Sequence, residues 1–139
     1  MTKLWVLDYA PQWSTIVRKA GAVLGEPFGW AGCDLRKPLT DASNTQLLSL
    51  APSTDVFLFS YVLHEVGQVS WEPCLRELFR LAKMGSIFYF KDPNDRSVKA
   101  ALGVFLSCGE GITGCNYRVE SKWVCGTGLL ARKSMRPDT

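Results

Sequence analysis

Residues 55–65 read DVFLFSYVLHE. After one aspartate the stretch is β-branched, aliphatic and aromatic through Phe59, and it then closes on polar groups at Ser60, His64 and Glu65. A continuous apolar run of this length describes a strand of a parallel sheet, where helices cover both faces, and the polar groups at its carboxyl end are where such a sheet holds its ligand. Two more stretches share this pattern. KLWVLD (3–8) ends in Asp8, and SIFYFKD (86–92) ends in Lys91 and Asp92. FGWAGC (28–33) is a shorter strand with Asp34 directly after it.

Helical patterns lie between these strands. Pro11 suits the first turn of a helix because an amide there has no intrahelical partner, and Trp13, Ile16, Val17 and Ala20 recur at helical spacing until Gly21 or Gly25. Ser43 to Leu50 forms a short helix or turn before Pro52. Ser70 is the expected cap of a helix from Trp71 to about Lys83, with Leu75, Leu78, Phe79 and Ala82 as its buried stripe, Pro73 in its first turn and Gly85 as its stop. A further helix runs from about Asp95 to Leu106, capped by Asn94 or Asp95. Two antiparallel strands near 116–120 and 122–131 close the chain, and the tail after Lys133 is expected to fray. The order β-α-β-α-β-α-β-α-β-β predicts an α/β fold, a mostly parallel sheet with helices on both faces and an antiparallel strand pair at the C-terminal end.

The 139 residues are expected to form one domain, 1–139, with a substantial core. A hydrophobic share of 47% and a charged share of 21% are ordinary for a globular protein, and no apolar stretch is long enough to span a membrane. The net charge of +3 is spread in pairs such as Arg18–Lys19 and Arg36–Lys37, so a nucleic-acid surface is not indicated. The five cysteines, an odd number without a CxxC spacing, and the single histidine exclude a structural zinc site, and no metal is expected. Buried thiols of this kind fit a reducing, intracellular compartment, with the cytoplasm expected and the mitochondrion left open.

Asp8 in LDYAP, Asp34 in GCDLRKPL, the segment SYVLHEV and the closing strand pair together resemble the later two-thirds of a class I S-adenosylmethionine (SAM) methyltransferase. The resemblance starts at that family's second strand. The domain is therefore expected to be N-terminally truncated relative to the family, without the first strand and its glycine-rich loop. It implies SAM as cofactor. Asp8 would accept hydrogen bonds from the ribose hydroxyls, since a carboxylate at the end of the second strand suits a vicinal diol. Asp34 would read the adenine amino group, an exocyclic donor that needs an acceptor. Ser60 and Tyr61 would lie under the methionine part of SAM. His64 would remove the acceptor's proton with Glu65 orienting it, although a neighbouring His and Glu equally describe a structural hydrogen-bonded pair. Asp92 is a candidate substrate contact or a helix-entry aspartate.

Two glycine-rich stretches copy known motifs by letter. GEGITG (Gly109, Gly111, Gly114) matches G-x-G-x-x-G, and VCGTGLLA (124–131) resembles the family's own glycine motif. The mechanism requires a strand, a tight glycine turn and then a helix whose N-terminus faces the ligand. Neither stretch has that context, and both are expected to be decoys. Two functions remain open at the level of sequence: a SAM-dependent methyltransferase with an unidentified acceptor substrate, or a non-catalytic methyltransferase-like subunit, for example in RNA modification or ribosome assembly. Under either, a protein partner or a second copy could complete the sheet, and Trp5, Trp13, Trp30, Trp71 and Trp123 are candidates to face it.

Overall fold

The computed structural model describes residues 3–26, 28–93, 95–109, 117–124 and 128–135. Strands β1 (Trp5–Asp8) and β2 (Gly29–Gly32) form a parallel pair in which Trp5 lies opposite Gly29 and Asp8 opposite Gly32. Helix α1 (Trp13–Leu24) connects them. A glycine is needed at 29 because the Trp5 indole lies over that position, and a Cβ there would penetrate the ring. Four further strands, β3 (Val56–Ser60), β4 (Ile87–Lys91), β5 (Tyr117–Val124) and β6 (Gly128–Met135), form a second sheet in the order β3-β4-β6-β5. Between β2 and β3 lies the short helix α2 (Thr45–Leu50). Helices α3 (Leu63–Val66) and α4 (Gln68–Leu81) connect β3 to β4, and α5 (Asp95–Cys108) follows β4.

The α/β alternation expected from the sequence is present. The sheet is mixed rather than mostly parallel: β1–β2 and β3–β4 are parallel, whereas β4–β6 and β5–β6 are antiparallel. The described strands also fall into two sheets, with β1 and β3 as edges.

Aromatic residues build the core. Phe88 and Phe90 of β4 face helices α4 and α5, where the rings of Phe79 and Phe105 stack at 4.3 Å and meet Phe88 edge-on at 5.0 and 4.9 Å. Phe57 of β3 stacks on Phe88 at 4.5 Å. Each such ring removed from water contributes about 1.5–3 kcal/mol. Because α4 and α5 cover the same face, β3 is buried on one side only. Phe57 is buried, whereas Leu58, next along the strand, is 71% exposed. The continuous apolar run at 55–59 therefore does not correspond to two-sided burial.

Helix α1 ends as its glycine predicts. Gly25 adopts a left-handed conformation (φ 72°), and Glu26 N–H donates to Gly21 O at 3.0 Å, a glycine-dependent helix stop. The expected stripe is only partly buried: Val17 and Gly21 face inward, while Trp13 and Ile16 are exposed. Helix α4 begins earlier than Ser70. Gly67, at φ 86° and ψ 142°, turns the chain directly out of α3, so Pro73 stands inside α4 rather than in its first turn. Strand β5 runs on to Val124 and β6 on to Met135, which places the hairpin after 124 instead of near 121. Of the five tryptophans offered as partner-facing, Trp71 is completely buried, Trp5 and Trp30 are half-buried, and Trp13 and Trp123 are exposed.

Lys133 of β6 is a buried cation. Its Nζ donates to Phe79 O (2.8 Å), Arg80 O (3.0 Å) and Ala82 O (2.7 Å), the carbonyls that helix α4 leaves without partners at its end. The ammonium also stands 4.6 Å from the centre of the Tyr117 ring. Among the described residues, no helix is long and apolar enough to cross a membrane.

Candidate active site

Two polar clusters stand at the carboxyl ends of the parallel strands. The first is formed by β1 and β2. Asp8 closes β1, and Cys33 N–H donates to its backbone carbonyl at 3.0 Å, so the ladder carries the chain straight into Asp34 on the neighbouring strand end. The Asp8 carboxylate accepts the Ala10 N–H through Oδ1 at 2.9 Å, an aspartate turn that starts the passage to α1. Its Oδ2 has no protein donor among the described residues. The turn role and the ligand role read from the sequence are thus compatible, each using one oxygen.

Asp34 is held differently. Arg36 donates its backbone N–H (3.0 Å) and Nε (2.9 Å) to Oδ1 and its Nη2 (2.9 Å) to Oδ2. These hydrogen bonds from Arg36 hold the Asp34 carboxyl below the usual carboxylate range. The Arg36 guanidinium also lies over the Tyr9 ring at 5.4 Å, which connects the two strand ends across the cluster. Beneath them, burial pushes the Cys33 thiol up to about 12, with Cys74, Asp34 and Asp8 adding to it, and burial with the Asp34 charge pushes Cys74 of α4 up to about 11. Both thiols stay protonated and unreactive at neutral pH.

The second cluster is formed by β3 and β4. Their parallel register puts Ser60 opposite Lys91, and Tyr61 N–H continues the ladder to Lys91 O at 2.7 Å. Tyr61 then takes a left-handed backbone (φ 57°), the one non-glycine residue described with a positive φ, and its ring is about half exposed. Such strain at a strand end is characteristic of functional sites. The turn sends the chain into α3, where His64 meets Asp92 at the end of β4. The Asp92 carboxylate accepts the backbone N–H of His64 at 3.1 Å and faces the imidazole Nδ1 at 3.1 Å. The Asp92 side chain is 1% exposed, against 33% for His64. In the neutral ring, a buried carboxylate at Nδ1 favours the tautomer with its proton there and Nε2 as the acceptor nitrogen. Glu65 is exposed.

The structure thus joins His64 to Asp92, brings Asp8 and Asp34 to neighbouring strand ends, and pairs Ser60 and Tyr61 with Lys91, next in sequence to Asp92. Sequence reasoning missed Asn44, which is completely buried behind Asp34. An Asn directly before an apolar helix reads as an ordinary cap, and nothing local marks it. Of the glycine motifs, Gly128 lies in the antiparallel strand β6 and Gly109 in the turn after α5. Gly111, Gly114 and residues 125–127 fall outside the described residues.

No family model matches the chain, and no curated protein sequence does. Solved structures do. The PH0226 protein from Pyrococcus horikoshii OT3 superposes with a TM-score of 0.61 at 12% identity, over 96% of this chain and 72% of that one. A TehB-like SAM-dependent methyltransferase from Corynebacterium glutamicum superposes at 0.51 and 14%, over 96% and 68%. The fold is that of a class I SAM-dependent methyltransferase. An O-methyltransferase family 2 protein from Planctomyces limnophilus, solved in complex with apigenin, superposes at 0.54 and 15%, over 96% of this chain and 43% of that one. Both clusters stand at the carboxyl ends of parallel strands, the side on which open α/β sheets bind ligands.

Proposed function

We propose that this chain carries the cofactor and acceptor sites of a SAM-dependent methyltransferase acting on a hydroxyl group, with His64 as general base. The observation that supports this reading best is the His64–Asp92 pair. With a carboxylate facing Nδ1, Nε2 is the nitrogen that would take the acceptor's proton, and Asp92 would stabilise the imidazolium that forms. In this reading Asp92, rather than Glu65, orients the base, and the role expected for Asp92 as a substrate contact passes to the exposed side chains around it, Glu65 and Tyr61. A neutral hydroxyl gains most from such a base, since it must lose its proton to become a strong nucleophile. Removing the proton contributes about 10²–10⁴-fold.

The residues at the first cluster fit SAM. Asp8 Oδ2 is open to a ribose diol, and Asp34 retains acceptor capacity for an exocyclic amine. Ser60 and Tyr61 would lie under the methionine part of SAM. When bound, SAM supplies an electrophilic sulfonium methyl. The chain's part is to hold the acceptor oxygen in line with that methyl and to take its proton on His64 Nε2.

The free edges of β1 and β3 favour a second reading. Val56 is half exposed and Leu58 largely so, on an edge strand without charge or proline to protect it. A partner's extended segment pairing there would make this chain part of a larger assembly, catalytic or not.

Calorimetry with S-adenosylhomocysteine separates the two. Binding that weakens at least about tenfold in Asp8→Ala, the effect of losing a charge-assisted hydrogen bond, together with methyl transfer to phenols that fails in His64→Ala, supports the enzyme. Absence of binding by folded protein rejects it for this chain alone.

A further inference from the structure

The side chain of Asn44 is a buried polar group that serves one loop. Its Oδ1 accepts the Asp34 N–H at 2.7 Å, and its Nδ2 donates to Asp34 O at 2.9 Å and Pro38 O at 3.0 Å, with a longer approach to Lys37 O at 3.4 Å. Asn44 has no exposed surface, so every one of these bonds is made out of water, where leaving any of them unmade is costly. Two of the four contacts, to Lys37 O and Pro38 O, tie down the loop beyond Asp34. The other two are particular: both backbone groups of Asp34, its N–H and its C=O, end on the same amide.

Asp34 is thereby fixed from two sides. Asn44 clamps its backbone and Arg36 clamps its carboxylate. A carboxylate offers roughly four acceptor positions. Arg36 fills two on Oδ1 and one on Oδ2, so a single acceptor position remains, on Oδ2. One lone pair in a fixed direction suits one N–H donor. It does not suit a carbonyl, which would bring an acceptor against an acceptor.

We infer that Asn44 is a positioning residue that aims the last acceptor position of Asp34, and that this clamp makes the site select a purine bearing a 6-amino group over one bearing a 6-oxo group. The inference rests on the methyltransferase reading of the first cluster and adds to it the residue on which base selectivity depends. Arg36 is the second half of the clamp. It is largely exposed, so its removal leaves the core untouched, whereas Asn44 is interior.

The test is calorimetry with two probes, S-adenosylhomocysteine and its 6-oxo counterpart S-inosylhomocysteine, on the wild-type chain, Asn44→Ala, Arg36→Ala, Asp34→Ala and the Asp34→Ala/Asn44→Ala double variant, each checked for folding by circular dichroism. The wild type should prefer the amino ligand by about tenfold or more, the scale of one hydrogen bond to a charged group. Asn44→Ala and Arg36→Ala should each lower affinity for the amino ligand and leave the oxo ligand within about twofold, so that the ratio falls towards one. The double variant should bind no more weakly than Asp34→Ala alone, because Asn44 acts through Asp34. Equal weakening of both ligands by Asn44→Ala, or an unchanged ratio in Arg36→Ala, overturns the inference. A wild type that binds both probes equally overturns it while leaving the methyltransferase reading intact. A wild type that binds neither overturns both.

Discussion

Replacing Lys133 by methionine isolates one buried cation in an otherwise aromatic core. Methionine keeps the length and apolar body of the side chain and removes the three N–H donors. The loss can be worked from the geometry. Phe79 O, Arg80 O and Ala82 O, at 2.7–3.0 Å from Nζ, belong to the end of α4 and have no helical donor to fall back on. Hydrogen bonds to a charged group contribute about 1.5–3 kcal/mol each in mutational series. Three of them cannot simply be summed, because taking the ammonium out of water costs several kcal/mol and the variant is relieved of that cost. The carbonyls left behind tolerate under-satisfaction better than N–H groups do. The net expectation is a loss of about 2–4 kcal/mol, overlapping the lower part of the range of about 3–5 kcal/mol seen when one partner of a buried ion pair is removed. Against a total stability of roughly 5–15 kcal/mol this is large. Urea unfolding followed by tryptophan fluorescence, which reports on the buried Trp71, measures it. The midpoint should fall with an unchanged slope. A loss under about 0.5 kcal/mol would show that water or neighbouring donors satisfy those carbonyls and that the lysine has no structural role.

Other outcomes follow from the same geometry. Asp92→Asn replaces an acceptor by an amide that can donate to His64 Nδ1, which moves the imidazole proton to Nε2 and removes the base. Methyl transfer should fall about 10²–10⁴-fold, while affinity for S-adenosylhomocysteine by calorimetry stays within about twofold. Folded-state values of about 12 for Cys33 and about 11 for Cys74 lie above the unfolded thiol value. The stability tied to keeping them protonated is therefore complete below about pH 8.5–9 and is lost as pH rises towards those folded values, by up to about 1.4 kcal/mol per pH unit for each thiol. Denaturation midpoints measured from pH 8 to 11 should decline, and a Cys74→Ala variant should decline less steeply. Gly67→Ala forces a side chain onto a backbone at φ 86° and ψ 142°, a conformation close to glycine-only, and should lower stability by about 1–3 kcal/mol even though the space around a new Cβ is open. Thermal unfolding reads it directly.

Much of this architecture was legible locally. Each strand that ends at the site is an apolar run followed by a polar residue, and the positions of Asp8, Asp34, Ser60 and Asp92 at strand ends follow from that alone. The glycine stop of α1 was equally plain. Helix starts were less so: Ser70 carries the chemistry of a cap, but the positive φ of Gly67 lets α3 pass into α4 without one. The sequence reading breaks the pair at Ser121, whereas β5 runs through it to Val124, because polar residues on the outermost strand need no burial.

The sequence by itself determined which segments become strands and helices, and which polar residues stand at their ends, because alternation and capping act over a few neighbouring residues. Only the tertiary structure decided which of those residues meet. His64 and Asp92 are 28 positions apart, and what joins them is the register of β3 against β4. Asn44 reaches Asp34 because the loop between β2 and α2 folds back on itself, and Lys133 reaches α4 because β6 inserts beside β4. These pairings depend on packing between elements distant in the chain, and no local pattern of residues encodes them.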